Sequence, residues 1–245
     1  MRWFLATIAL AAALACGFLA LAGWFGGTVF ASYEPTRATP TPRAAIYLSG
    51  DVGPSLGLGS DVVSTLRANG YAVVTVNSAA YFNRRRDPAE ITRLVSEALD
   101  SAAKLGGTGE VVAVGHSFGA DMLHVALARM PAAARARVAR VIYIAPSSDV
   151  EFAVSPLEML GLTSAESKAI DTARQVSFAP VACIYGKDDS QSLCPHLTWP
   201  GTLRLPLPGG HNLRFDGDAL DRALVQALVI NLTQSSSAAH RDAGL

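Results

Sequence analysis

Val111–Val112–Ala113–Val114–Gly115–His116–Ser117–Phe118–Gly119–Ala120–Asp121 decides how this chain is read. An apolar, largely β-branched run ends at a glycine, a serine follows between two glycines, and apolar residues at helical spacing continue through Leu127. That order is strand, sharp turn, helix, the context a G-x-S-x-G nucleophile elbow requires. The turn is tight, so Ser117 must take a strained backbone conformation. Side chains at positions 115 and 119 would collide with the neighbouring strand and helix. The serine oxygen is thereby pushed out above the sheet. The amide of Phe118, at the start of the following helix, faces the same space and can stabilise an oxyanion.

Working outward, strand and helix patterns alternate. Ala44–Ser49 reads as a short strand, followed by the turn-forming loop Gly50–Asp51–Val52–Gly53–Pro54. Leu56 to Asn69 has helical spacing and stops at Gly70. Tyr71–Asn77 is a second strand. Asp87–Pro88–Ala89–Glu90 carries a cap residue and a first-turn proline, predicting a helix to about Lys104. Glu110–Val114 is the elbow strand, Phe118–Met130 the helix behind it and Arg137–Ala145 another strand. Pro180–Tyr185 and Thr202–Leu207 are two further strands, and Asp216–Asn231 a final amphipathic helix. This β-α-β order implies an α/β fold, a mostly parallel sheet in one domain with helices on both faces.

The 245 residues suffice for one such domain with a substantial core. The flanks read differently. Residues 1–31 open with Arg2 and a nearly unbroken apolar run, the pattern of a cleaved signal peptide or of an N-terminal membrane anchor. Residues 32–43 hold Pro35, Pro40 and Pro42 and read as an extended linker, so the folded domain is expected over 44–232. Residues 147–177 lack clear strand character and are a possible cap. Residues 233–245 are Ser/Ala-rich and polar, the composition of a frayed tail. Charge sums to zero, so no global field favours nucleic acid. With no phosphate loop and no metal-spaced Cys/His cluster, no cofactor is expected. Of the three cysteines, Cys183 and Cys194 fall in the folded part and can pair in an oxidising compartment.

A serine hydroxyl is a weak nucleophile until a base takes its proton, and the base is a histidine oriented by a carboxylate. In a sheet of this kind the chain order is serine, acid, histidine. The loop after strand Pro180–Tyr185 contains Asp188 and Asp189. The loop after strand Thr202–Leu207 is Pro208–Gly209–Gly210–His211–Asn212. Ser117, Asp189 and His211 are therefore the expected triad, with Asp188 the alternative acid. A second oxyanion amide belongs to the loop after the first strand, at Gly50 or Asp51. Asp121, one turn beyond Ser117, is a candidate to meet a cationic substrate, though buried acids are more often structural. Arg84–Arg85–Arg86 reads as a solvated basic loop or as a contact for anionic lipid.

Leu48–Ser49–Gly50–Asp51, Asn77–Ser78 with Tyr81–Phe82, Gly115 to Asp121, Cys183–Ile184–Tyr185–Gly186, Ser192–Leu193–Cys194–Pro195 and Pro208–Gly209–Gly210–His211 together resemble the bacterial virulence protein VirJ / AcvB family of the α/β-hydrolase superfamily. The resemblance runs from Ala45 to about Asp218. The family's first loop usually resembles Ser-Gly-Asp-Gly-Gly-Trp; here Val52 replaces its first glycine after Asp51, and Pro54 stands where tryptophan is usual. Longer AcvB-like members carry an extra N-terminal domain, and this chain resembles the shorter VirJ type.

The resemblance implies an exported, periplasmic protein and hydrolysis of aminoacyl esters of phosphatidylglycerol, such as lysyl-phosphatidylglycerol. For VirJ-type members it implies a link to virulence and to type IV secretion proteins as partners. The residues by themselves reach only an exported serine hydrolase acting on an ester or related acyl bond. A Cys183–Cys194 bridge would bracket both candidate acids and fix their loop.

Overall fold

The computed structural model describes residues 2–154 and 165–229. Positions 155–164 of the possible cap and the expected tail, 233–245, lie outside the described residues. An N-terminal helix α1 (Arg2–Ala22) and a short strand β1 (Phe30–Tyr33) precede β2 (Ala44–Leu48), α2 (Leu58–Ala68) and β3 (Ala72–Val76). Next come α3 (Ser78–Tyr81), α4 (Pro88–Gly106), β4 (Val111–His116), α5 (Phe118–Arg129), α6 (Ala132–Arg135) and β5 (Val138–Ile144). An excursion follows, with β6 (Asp149–Val150), β7 (Ser167–Lys168) and α7 (Ala169–Ala173). The chain then re-enters the sheet through β8 (Val181–Gly186) and β9 (Thr202–Leu207) and ends, among the described residues, in α8 (Gly217–Val229).

The main sheet runs β1-β3-β2-β4-β5-β8-β9. Every pairing in it is parallel except β1 with β3. Parallel strands covered on both faces read as continuous apolar runs, and β2 and β3 are buried at every residue. One face packs on α4, α5 and α7 through Ile91, Leu99, Met122 and Leu127. The other packs on α2 and α8 through Val62, Leu66, Leu220 and Leu224. The start of α4 follows the expected chemistry. Asp87 accepts from the amides of Ala89 and Glu90, while Glu90 reaches back to the Asp87 amide.

Two expectations are corrected. The sheet begins at Phe30, not near Ala44: β1 pairs Phe30–Tyr33 with Val73–Val76 along the sheet edge. Four residues between a glycine-rich turn and a proline-rich crossing carry too short a pattern to announce a strand, and pairing to β3 supplies what local sequence lacks. The 147–177 excursion is not strandless either, because β6 and β7 form a small antiparallel pair. It is pinned to the 81–86 loop, since the Arg86 amide donates to Phe152 O and the Val154 amide to Phe82 O. The arginine run has structural partners. Arg84 and Arg86 pair with Glu90, Arg85 pairs with Glu166, and Arg86 also lies over the Tyr81 ring.

Along α1 the side chains of Phe4, Ile8, Leu10, Leu14 and Phe18 are exposed, whereas Ala22 at its end is buried against the domain. Among the described residues, no helix is long and apolar enough to cross a membrane.

Candidate active site

The elbow forms where β4 meets α5. Ser117 sits between them with φ 52° and ψ −125°, a left-handed strain that a non-glycine residue adopts rarely and usually at functional positions. Its amide is spent on Ile144 O at 2.8 Å. The flanking glycines are required by contact. A Cβ at Gly115 would lie 2.6 Å from Ala120 Cα, and one at Gly119 would lie 2.4 Å from the carbonyl oxygens of both Leu48 and Ser49. The Phe118 amide opens α5, where no preceding helical turn offers a carbonyl to accept it.

Ser117 Oγ lies 2.8 Å from His211 Nε2, and His211 Nδ1 lies 3.1 Å from Asp189 Oδ2. An ionised carboxylate can only accept, so Nδ1 carries the proton and Nε2 presents its lone pair to the serine hydroxyl. Asp189 is itself fixed: its other oxygen accepts from the Gln191 amide at 3.1 Å, and its own amide donates to Gly186 O. Its side chain is 7% exposed while that of His211 is 45% exposed, so the acid is sheltered and the base faces solvent. Asp188 is exposed, and its amide caps Gly209 O. Of the two candidate acids, the structure brings Asp189 to the ring and leaves Asp188 outside.

One glycine makes that meeting possible. A Cβ at Gly186 would sit 2.1 Å from Gly210 O and 2.5 Å from Gly209 O. The bare α-carbon at the end of β8 lets the histidine loop lie directly across it. Beyond His211 the chain turns through three consecutive left-handed residues, Leu213, Arg214 and Phe215, with Leu213 buried as the anchor. Nothing in local sequence signals this turn, since none of the three is a residue that favours positive φ.

The loop after β2 closes the other side. The space beside the Gly50 α-carbon is filled by Ser117 Cβ, 3.4 Å from where a Cβ would stand. Ser78 holds this loop from below. Its amide donates to Ser49 Oγ and its hydroxyl to Ser49 O. Gly50 O accepts from the Gly53 amide, which directs the opposing Asp51 amide away from the turn. Among the described residues neither Gly50 N nor Asp51 N donates to a protein acceptor, so both remain available beside Phe118 N for an oxyanion. The Asp51 carboxyl is a separate matter. Its Oδ1 is sealed from solvent without a partner. Burial pushes its pKa up to about 6, with His211 pulling it down and Glu151 adding to the rise.

Asp121 does not line the cleft. It is 5% exposed, its Oδ1 accepts from the Ser147 amide at 3.0 Å, and burial raises its pKa well above the usual carboxylate range. The substrate-binding expectation for it is corrected. One turn along α5 from an elbow points inward under the β5 exit, not outward beside the nucleophile. His124 is buried next to it, 2.8 Å from Thr172 Oγ1, with its pKa lowered to about 3 by burial. His116 turns away from the cleft to Tyr47 and is lowered to about 4 by burial and the nearby His211. Cys183 and Cys194 form a disulfide across the acid loop, tying β8 to the turn Cys194–His196.

A parallel sheet with a strained serine at the end of its central strand, relayed through a histidine to a carboxylate, defines an α/β-hydrolase fold with a Ser-His-Asp triad. Solved structures agree on the fold. The chain is similar to Est1E from Butyrivibrio proteoclasticus, at 15% identity and a TM-score of 0.55, covering 82% of this chain and 94% of that one. It is similar to an alpha-beta serine hydrolase homologue from Coxiella burnetii, at 15% identity and 0.58, covering 82% and 91%. It is also similar to MenH from S. aureus, at 13% identity and 0.55, covering 82% and 98%. No curated protein matches the chain. Residues 43–232 match the family described as bacterial virulence protein (VirJ), and the chain belongs to that family.

Proposed function

We propose that this VirJ-family chain is an exported serine hydrolase that cleaves aminoacyl esters of phosphatidylglycerol, of the lysyl-phosphatidylglycerol type. One observation carries the catalytic part: Ser117, His211 and Asp189 form a continuous hydrogen-bonded relay. In the reaction Ser117 Oγ attacks the aminoacyl carbonyl while His211 Nε2 takes its proton. The oxyanion is received by Phe118 N and by Gly50 N or Asp51 N. His211 then gives the proton to the departing glycerol oxygen, and water repeats the sequence to free the amino acid. Asp189 holds the ring in the working tautomer throughout.

The substrate and the compartment rest on other supports. A disulfide around the acid loop suits an oxidising compartment such as the periplasm. The apolar α1 suits an export signal or an anchor, and its end touches the loop beside Ser117: Ala22 O stands 2.9 Å from where a Cβ on Gly53 would be. An apolar element and the catalytic mouth thus share one edge, which favours a substrate presented by a lipid surface. With Asp121 enclosed, Asp51 on the loop beside Ser117 is the carboxylate we assign to an aminoacyl ammonium.

The test compares lysyl- and alanyl-phosphatidylglycerol with simple soluble esters, using wild type and Ser117→Ala. Release of amino acid from the lipids by wild type, falling at least about 10³-fold in the variant, is the expected result. Turnover of simple esters alone would sink the lipid assignment and leave a general exported esterase. Full complementation of a deletion strain by the variant would instead favour a non-catalytic accessory role in type IV secretion.

A further inference from the structure

The segment before β1 reaches into the catalytic site. Trp24, just beyond α1, is partly buried against the core, and its indole Nε1–H donates to Asp51 O at 2.9 Å. Asn77 clamps the same segment: its Nδ2 donates to Ala22 O, its Oδ1 caps the Ala80 amide, and its own amide donates to Val29 O. The pairing of β1 with β3 then locks the strand that follows. From Ala22 to Tyr33 the chain is thus seated on the domain, and its one polar side-chain contact with the 50–54 loop is to a peptide that flanks an oxyanion amide.

We propose that Trp24 is a positioning residue that sets the orientation of the oxyanion loop. A peptide is planar, so whatever holds one of its groups aims the other. Gly50 O is held by the Gly53 amide and by the Ser49 hydroxyl, which aim Asp51 N. Asp51 O is held by Trp24, which stops the next peptide from rotating and dragging Asp51 N with it. Ser78 acts through Ser49, whose hydroxyl donates to Gly50 O at 3.0 Å, and this chain of contacts stops before the Asp51–Val52 peptide. Without the indole donor, the stretch from Asp51 to Gly53 has a single backbone bond across a turn containing a glycine at φ 78°. An oxyanion donor works through alignment with charge that develops only in the transition state. Loss of alignment therefore lowers kcat and leaves ground-state binding alone.

This inference rests on the serine-hydrolase reading. The test uses the full chain and a soluble ester, p-nitrophenyl acetate, together with a fluorophosphonate that labels the nucleophile. Trp24→Phe keeps a ring in the slot and removes the N–H. We expect kcat to fall about tenfold, or ~1.4 kcal/mol of barrier, with KM within about twofold and labelling slowed in parallel. Tyr33→Ala loosens the β1 edge without touching the loop and serves as the stability control. It should lower the melting temperature and leave kcat at the wild-type value. Unchanged kcat in Trp24→Phe, or an equal kcat loss in Tyr33→Ala, overturns the positioning role. Wild type that neither labels at Ser117 nor hydrolyses any ester overturns the hydrolase reading instead.

Discussion

Asp51→Asn should make the protein more stable at neutral pH, and by an amount that depends on pH. The wild-type carboxyl has one oxygen sealed from solvent without a partner. Its pKa stands at about 6 in the folded state against an ordinary 3.8. At one unit per 1.36 kcal/mol, this gap corresponds to about 3 kcal/mol, an upper figure because the residue as a whole is only half-buried. The sign follows from proton counting. Below about pH 4 both folded and unfolded chains hold the proton, and the carboxyl costs nothing. Between about pH 4 and 6 the unfolded chain ionises first, so stability falls as pH rises. Above about pH 6 the full cost is present. Asparagine cannot ionise and escapes it. Urea unfolding of both proteins at pH 4, 5, 6 and 7 measures this directly, since the other carboxylates cancel in the difference. The gap between variant and wild type should widen from its pH 4 value by about 2–3 kcal/mol at pH 7. A gap that stays flat, or that closes with rising pH, would refute the buried and unpartnered state of this group. The physical meaning of a confirmed slope is that the catalytic loop tolerates a destabilising acid, a pattern expected where function and stability compete.

Two further outcomes separate parts of the site. Asp189→Asn should lower kcat by roughly 10³–10⁴ while Asp188→Asn stays within about twofold, because only the former holds the His211 tautomer; the reverse ranking in an ester assay would reassign the acid. Replacing Cys183 and Cys194 together with alanine opens a loop with a sequence separation of 11, worth about 2.8 kcal/mol by loop-closure entropy. The melting temperature should fall by roughly 5–10 °C. A shift under about 2 °C in thermal unfolding would deny the bridge that role.

Much of this protein was legible in its sequence because its signals are local. The elbow needs small residues at 115 and 119 whatever surrounds it, and the contacts at Gly119 show why. The Asp87 cap and the apolar parallel strands likewise depend on near neighbours and on burial alone. Serine, acid and histidine in that order after strand ends follow from the winding of the sheet. What local pattern could not supply were choices made between distant segments. Asp188 and Asp189 are chemically identical, and only the histidine loop lying across Gly186 selects one of them. Asp121 has the spacing of a cleft residue, but the Ser147 amide arriving from β5 encloses it. Strand β1 has almost no pattern of its own and exists because β3 offers an open edge. Trp24 reads as one more apolar residue until the turn after β2 is placed beneath its indole. Composition and spacing thus determined the fold, the elbow serine and the histidine that meets it. Tertiary contact decided which carboxylate serves them and what holds the oxyanion loop, because those depend on hydrogen bonds that close only when remote parts of the chain meet.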